Sequence, residues 1–391
     1  MAGSVERVPF RQTSASVAMD AARGVAALLV LVDHCHNLFF LPFGQAMSLT
    51  SHPRVTYLLY ALTSAGREAV VIFFVLSGFL ISGSVFRALE QGRWSWKEYL
   101  THRMVRLWLV LLPALGLCAV WDVARLALTG AAHGTGGLGA AMAADGLTLK
   151  NFFGNIFFLQ SIRVPTFGSD RVLWSLAFEF WYYMLFPLGL LALRRGTTSR
   201  MRLLFGAGFV LAAVIAGRAA LGLFPVWLCG TALTMLKPPN VGRMVRWVAL
   251  LVYAPCPFVL AMTPWTSRIV KMDYVLGLLT TAFLWVMLSG RRRVNEDTPV
   301  VRVSRSLAGS SYSLYLVHYP LLAFVAAAIG ANGGWPPRAG YVWLVAGFGS
   351  IAVAYGYAVA ACTEWHNDAV RRWVEERLGV KVRPREPLTA R

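Results

Sequence analysis

The chain has 391 residues, 57% of them hydrophobic and only 14% charged, against roughly a quarter charged in an average soluble protein. That composition excludes a single soluble globule. Lys and Arg number 37 against 18 Asp and Glu, a formal charge of +19. On a soluble domain this would point to nucleic acid, but here the basic residues gather in short loops between apolar blocks, as membrane orientation requires, and no nucleic-acid partner is expected. Five cysteines, Cys35, Cys118, Cys229, Cys256 and Cys362, are odd in number and hold no C-x-x-C pair. They indicate neither a disulfide framework nor a thiolate metal site.

In chain order, Met1 to Val17 contains charges and lacks the apolar run and small-residue cleavage site of a signal peptide. The first apolar block therefore reads as an anchor that stays. Apolar blocks of spanning length then predict an all-α polytopic membrane protein of about ten transmembrane helices. They fall near 21–41, 66–86, 105–127, 172–193, 203–221, 223–237, 247–263, 273–290, 308–330 and 340–362. Arg218 and Pro225 make a poor boundary between the fifth and sixth. With both termini cytosolic, inner segments hold 26 Lys and Arg and outer segments 9, leaving aside Arg23 and Arg125 inside spans. This asymmetry selects N-in, C-in. A long outer stretch, about 128–171, opens Gly/Ala-rich and continues as the aromatic NFFGNIFFLQ, which suits a lid or an interfacial segment. The chain divides into a membrane domain, 1–363, and a basic tail, 364–391, in which EWHNDAVRRWVEERL suits a short amphipathic helix.

Ionisable groups inside spans are costly in lipid and mark function or internal pairing. The first span carries Arg23, Asp33 and His34. Eleven residues separate Arg23 from His34, and eleven steps of about 100° return to within about 20° of the same face, about 16 Å along the axis. Asp33 points about 100° away from His34, so Asn37 at i+3 is the expected orienting partner. The second span holds Ser77, Gly78, Ser82 and Gly83, small residues that let a ligand or another helix approach the backbone. Arg103 and Arg106 lie at i and i+3 on one face of the third. Glu179 sits in the fourth between Ser175 and Tyr183, and Ser311, Tyr315 and His318 align in the ninth. Each has a structural reading too: basic anchoring for the arginines, a bundle ion pair for Glu179, a satisfied polar network for the histidines, helix packing for the glycines.

Taken together, these segments resemble the acyltransferase-3 family, membrane enzymes that move acyl groups from cytosolic acyl-CoA to acceptors, often carbohydrates of the bacterial envelope. RGVAALLVLVDH, Arg23 to His34, resembles its first-helix signature, a basic residue, ten residues, then the essential histidine. VIFFVLSGFLIS resembles its second-helix motif, and HRMVRLWLVLLP its R-x-x-R with a following proline. Trp174, Ser175, Leu176, Glu179, Tyr183 and Pro187 match a fourth string, and Tyr315, Leu316, His318 and Pro320 a late Tyr-Leu-x-His-x-Pro motif. The chain departs where relatives carry Gly-Val-Asp before Phe-Phe (here Ala69-Val70-Val71), a second acid after the glutamate (Phe180) and Arg-Pro after the last glutamate (Trp365-His366 after Glu364).

The resemblance implies an acyl-CoA-dependent O-acyltransferase of the bacterial inner membrane, acting on a carbohydrate or glycolipid hydroxyl, with acyl-CoA as co-substrate and no metal. It implies His34 as general base with Glu179 and His318 in support, and a donor site of Arg23, Ser77, Gly78, Arg103 and Arg106. Some relatives carry an esterase-like domain after the last span. With about 28 residues beyond it, this chain is expected to work without one in cis. A proton-coupled solute transporter would use the same His, Glu and Arg groups, but predicts paired broken helices in two repeats, and none is evident.

Overall fold

The computed structural model describes residues 9–129, 146–263, 271–331 and 334–380. Among these the regular structure is helical, with no β-strand. In chain order the helices are α1 (Ser14–Phe39), α2 (Phe43–Leu49), α3 (Pro53–Thr63), α4 (Gly66–Glu90), α5 (Trp96–Thr129), α6 (Leu149–Ile156) and α7 (Leu173–Leu193). They continue as α8 (Ser199–Met235), α9 (Arg243–Tyr253), α10 (Cys256–Ala261), α11 (Lys271–Met287), α12 (Pro299–Ala328), α13 (Ala339–Cys362) and α14 (Asn367–Arg377).

Eight described helical stretches are long and apolar enough to cross a bilayer. The chain is a multi-pass, all-α membrane protein. The ten expected spans correspond to these eight plus two adjustments. The fifth and sixth are merged in α8, which breaks not at 221–223 but at Gly217, whose φ of 73° and ψ of 175° only glycine adopts without strain. Its first arm packs Phe209 on Gly189 of α7, and its second packs Thr234 on Gly83 of α4. The bend leaves Arg218 exposed at the turn, while Pro225 is absorbed inside the second arm. The eighth expected span is α11, apolar but shorter. The Gly/Ala-rich part of the outer stretch falls at 130–145, outside the described residues. Its aromatic part forms α6 and a loop fastened to α5, where Asp122 Oδ2 accepts from the Ser169 N–H at 2.6 Å.

The buried α12 is the central post, packed against α1, α5 and α13, while α8 packs against α4 and α7. Both described ends of the chain lie on one face. Ser14 and Ala15 donate to the carbonyls of Arg292 and Gly290, and the Lys97 ammonium at the start of α5 bonds the Leu378 carbonyl beyond α14.

Candidate active site

A cavity opens between α1, α4, α5, α7 and α12. It brings together five of the eight residues to which the family resemblance gives catalytic or donor-site roles: Arg23, Ser77, Arg103, Arg106 and Glu179. Helical spacing explains this, since Arg103 and Arg106 share one face of α5, while Ser175, Glu179 and Tyr183 follow one stripe of α7. Arg106 is exposed to the cavity and Arg23 partly so. Among the described residues neither forms a hydrogen bond or an ion pair. Arg103 lies over the rings of Tyr99 and Tyr183, 5.5 and 5.9 Å from their centroids, and its Nη2 is 3.4 Å from Ser84 Oγ.

One wall carries a chain of hydrogen bonds. Trp227 Nε1 donates to Ser77 Oγ at 3.2 Å, Ser77 Oγ to Tyr183 Oη at 3.4 Å, and Tyr183 Oη to Glu179 Oε1 at 2.5 Å. Glu179 is thus oriented within the cavity rather than ion-paired, and no ion pair involves it among the described residues. Gly78 is not a lining residue. A Cβ there would stand 2.0 Å from the Trp227 carbonyl oxygen, and one on Gly230 1.9 Å from that of Val75. The two glycines let α4 and α8 touch backbone to backbone, which seats Trp227 against Ser77.

His34 and His318 form a separate cluster. His34 Nδ1 and His318 Nε2 are 2.8 Å apart with nearly parallel rings, and His318 Nδ1 is 2.8 Å from the Leu314 carbonyl oxygen. A carbonyl only accepts, so His318 Nδ1 carries the hydrogen. In the neutral ring its Nε2 is then the acceptor, and His34 Nδ1 donates to it. The relay leaves His34 Nε2 with a free lone pair. His318 is fully buried, while His34 is partly exposed. The expected orienting partner, Asn37, instead bonds Asp33, and His318 takes that place from across the bundle, a contact that intrahelical spacing cannot reveal.

The cavity stops short of these histidines. Tyr315 stands between, its ring 6.0 Å from Phe73 and 6.3 Å from His318, pinned by a 2.7 Å hydrogen bond to Ser175 Oγ and a 3.2 Å bond to the Val172 carbonyl. On the far side, Tyr319 sits edge-on to His34 at 5.1 Å, and Arg171 of the outer loop bonds the Tyr319 hydroxyl. Next to Arg171, burial and the neighbouring Asp122 carboxylate push Asp170 well above the usual carboxylate range. The sequence reading missed Arg171, Tyr319, Tyr99 and Tyr312. Arg171 lies two residues before α7, at a loop end whose position no periodicity specifies. Phe180, where a second acid is common in relatives, stacks on Phe158 of the outer loop at 4.4 Å.

The acyltransferase-3 family, described as an acyltransferase domain, matches residues 16–361. The chain belongs to this family and is a membrane acyltransferase. No curated protein and no solved structure matches it.

Proposed function

We propose that the protein transfers an acetyl or other short acyl group from cytosolic acyl-CoA to a hydroxyl of a carbohydrate or glycolipid acceptor, in the inner membrane of a bacterium. The observation that carries this reading is the cavity that unites Arg23 and Arg106, two guanidiniums that form no hydrogen bond or ion pair among the described residues, with Arg103. Phosphates of a coenzyme A are the ligands that such an arginine group favours. The excess of Lys and Arg in the loops on the terminal face assigns that face to the cytosol, so the donor enters where it is made.

The pantetheine arm then runs along the Ser77 wall toward Tyr315, whose displacement opens the way to His34. His34 Nε2 takes the proton of the acceptor hydroxyl, and the oxygen attacks the thioester carbonyl. The C–S bond breaks, and the leaving CoA thiolate takes the proton back from His34. His318 is a positioning residue that fixes the His34 tautomer. Glu179 and the Tyr183 and Ser77 hydroxyls orient groups within the cavity.

The test is radiolabelled acyl-CoA supplied to the purified protein in detergent and in vesicles. Acyl transfer or CoA release that needs His34 supports the reading. Labelled solute accumulating in vesicles without thioester cleavage overturns it in favour of a transporter.

A further inference from the structure

Behind the α12 wall of the cavity lies a carboxylate that the mechanism leaves unused. The chain leaves α13 at Thr363 and enters a 3₁₀ turn, Glu364–His366. Glu364 Oε2 accepts from the Ser313 N–H at 3.1 Å and from Ser313 Oγ at 3.0 Å. Ser313 is fully buried, and its neighbours Ser311 and Tyr312 line the cavity. The Tyr312 hydroxyl donates to the carbonyl of Leu107, the residue after Arg106, at 3.2 Å. Burial disfavours the charged form of Glu364, and the nearby charges of Arg106 and Arg23 and the two Ser313 bonds counter it, yet Glu364 pairs with neither arginine at ion-pair distance among the described residues.

The segment that carries it is held at both sides of the cavity. Past the turn, α14 is tied to α5, where Glu375 Oε1 lies 2.5 Å from His102 Nε2, the residue before Arg103. The Glu364 carboxyl is therefore held in place rather than mobile. Arg23 and Arg106 repel each other, and Asp20 beside Arg23, together with Glu364 and Glu179, offsets that repulsion. When a phosphate-bearing ligand enters, the same fixed carboxylate repels it.

We propose that Glu364 is a positioning residue that sets how tightly the arginine cavity holds coenzyme A, keeping Arg23 and Arg106 together without a ligand and weakening retention of the CoA product. The proposal rests on the reading that this cavity takes the acyl-CoA donor.

The experiment is calorimetric binding of coenzyme A to the purified full-length protein at low and high salt. Absence of binding to the wild type would sink the donor reading itself, which separates the two failures. Glu364→Gln keeps an oxygen for Ser313 and loses the charge. It binds CoA about three- to tenfold more tightly, an advantage that shrinks at high salt as screening grows, and CoA inhibits its turnover more strongly. Glu364→Asp keeps the charge and stays within about twofold of wild type. Equal or weaker CoA binding by folded Glu364→Gln overturns the proposal, as does an aspartate variant that matches the glutamine. A glutamine variant that fails to fold while the aspartate variant folds also overturns it, because it assigns the residue to the scaffold.

Discussion

The arginine cavity and the histidine pair are built on opposite principles. In the cavity, two guanidiniums form no hydrogen bond or ion pair among the described residues and a third is held by aromatic faces and a distant hydroxyl, so charge is displayed toward the cavity. At the histidines every ring nitrogen but one is satisfied inside the bundle, so a single lone pair is presented and nothing else is on offer. The first arrangement suits the binding role proposed for it, because charge in a low-dielectric bundle attracts a polyanion strongly. The second suits the proton transfer proposed for it, because a fixed tautomer removes ambiguity about which atom is the base. Tyr315, pinned to Ser175, keeps them apart.

The sharpest way to break this contrast is to remove the base. His34→Ala is expected to lower acyl transfer about 10³-fold, within the range general bases contribute, with CoA affinity unchanged in a binding titration. A variant that still transfers at the wild-type rate would dissolve the distinction between the two regions. On the binding side, Arg106→Ala and Arg23→Ala should each raise the acyl-CoA KM about tenfold to a hundredfold while kcat falls much less, as loss of charge-assisted phosphate contacts predicts. Steady-state kinetics that instead show kcat collapsing at constant KM would move these arginines into the chemical step.

A smaller effect tests how the relay works. His318→Gln retains an amide oxygen able to accept from His34 Nδ1, whereas His318→Ala retains nothing. Transfer should fall about tenfold in the glutamine variant and further in the alanine variant, with CoA binding intact in both. Equal losses would show that His318 acts by packing rather than by fixing the tautomer of His34.

These regions were unequally legible in the sequence. Arg23, Arg103, Arg106 and Glu179 announce themselves as charges inside apolar helices, and the i, i+3 and i, i+4 spacing puts them on shared faces, so their convergence needs only that those faces meet. The break at Gly217 was not legible. One glycine among many carries the turn, and the neighbouring Arg218 and Pro225 look equally disruptive until packing against α4 and α7 decides between them. Gly78 shows the same limit. A small residue serves a ligand or a helix crossing equally well, and only the position of Trp227 shows that here it serves the crossing. The pairing of His34 with His318 joins residues 284 positions apart, and neither helix's periodicity specifies the rotation that brings the rings together.

The barrier between the two regions is tested by Tyr315→Phe, the smallest effect of the series. The substitution keeps the ring and removes the hydroxyl that bonds Ser175 at 2.7 Å and the Val172 carbonyl at 3.2 Å. At about 0.5 kcal/mol net each, the low end for such bonds, the two together are worth about 1 kcal/mol, which corresponds to about fivefold in how often the ring moves aside. With no acceptor present, water reaching His34 replaces the hydroxyl as nucleophile. The phenylalanine variant should therefore release CoA from acyl-CoA about fivefold faster than wild type in a thiol assay, while its affinity for CoA stays the same. An unchanged rate of release would mean that the thioester does not pass Tyr315, and the donor would have to reach the histidines by another route through the bundle.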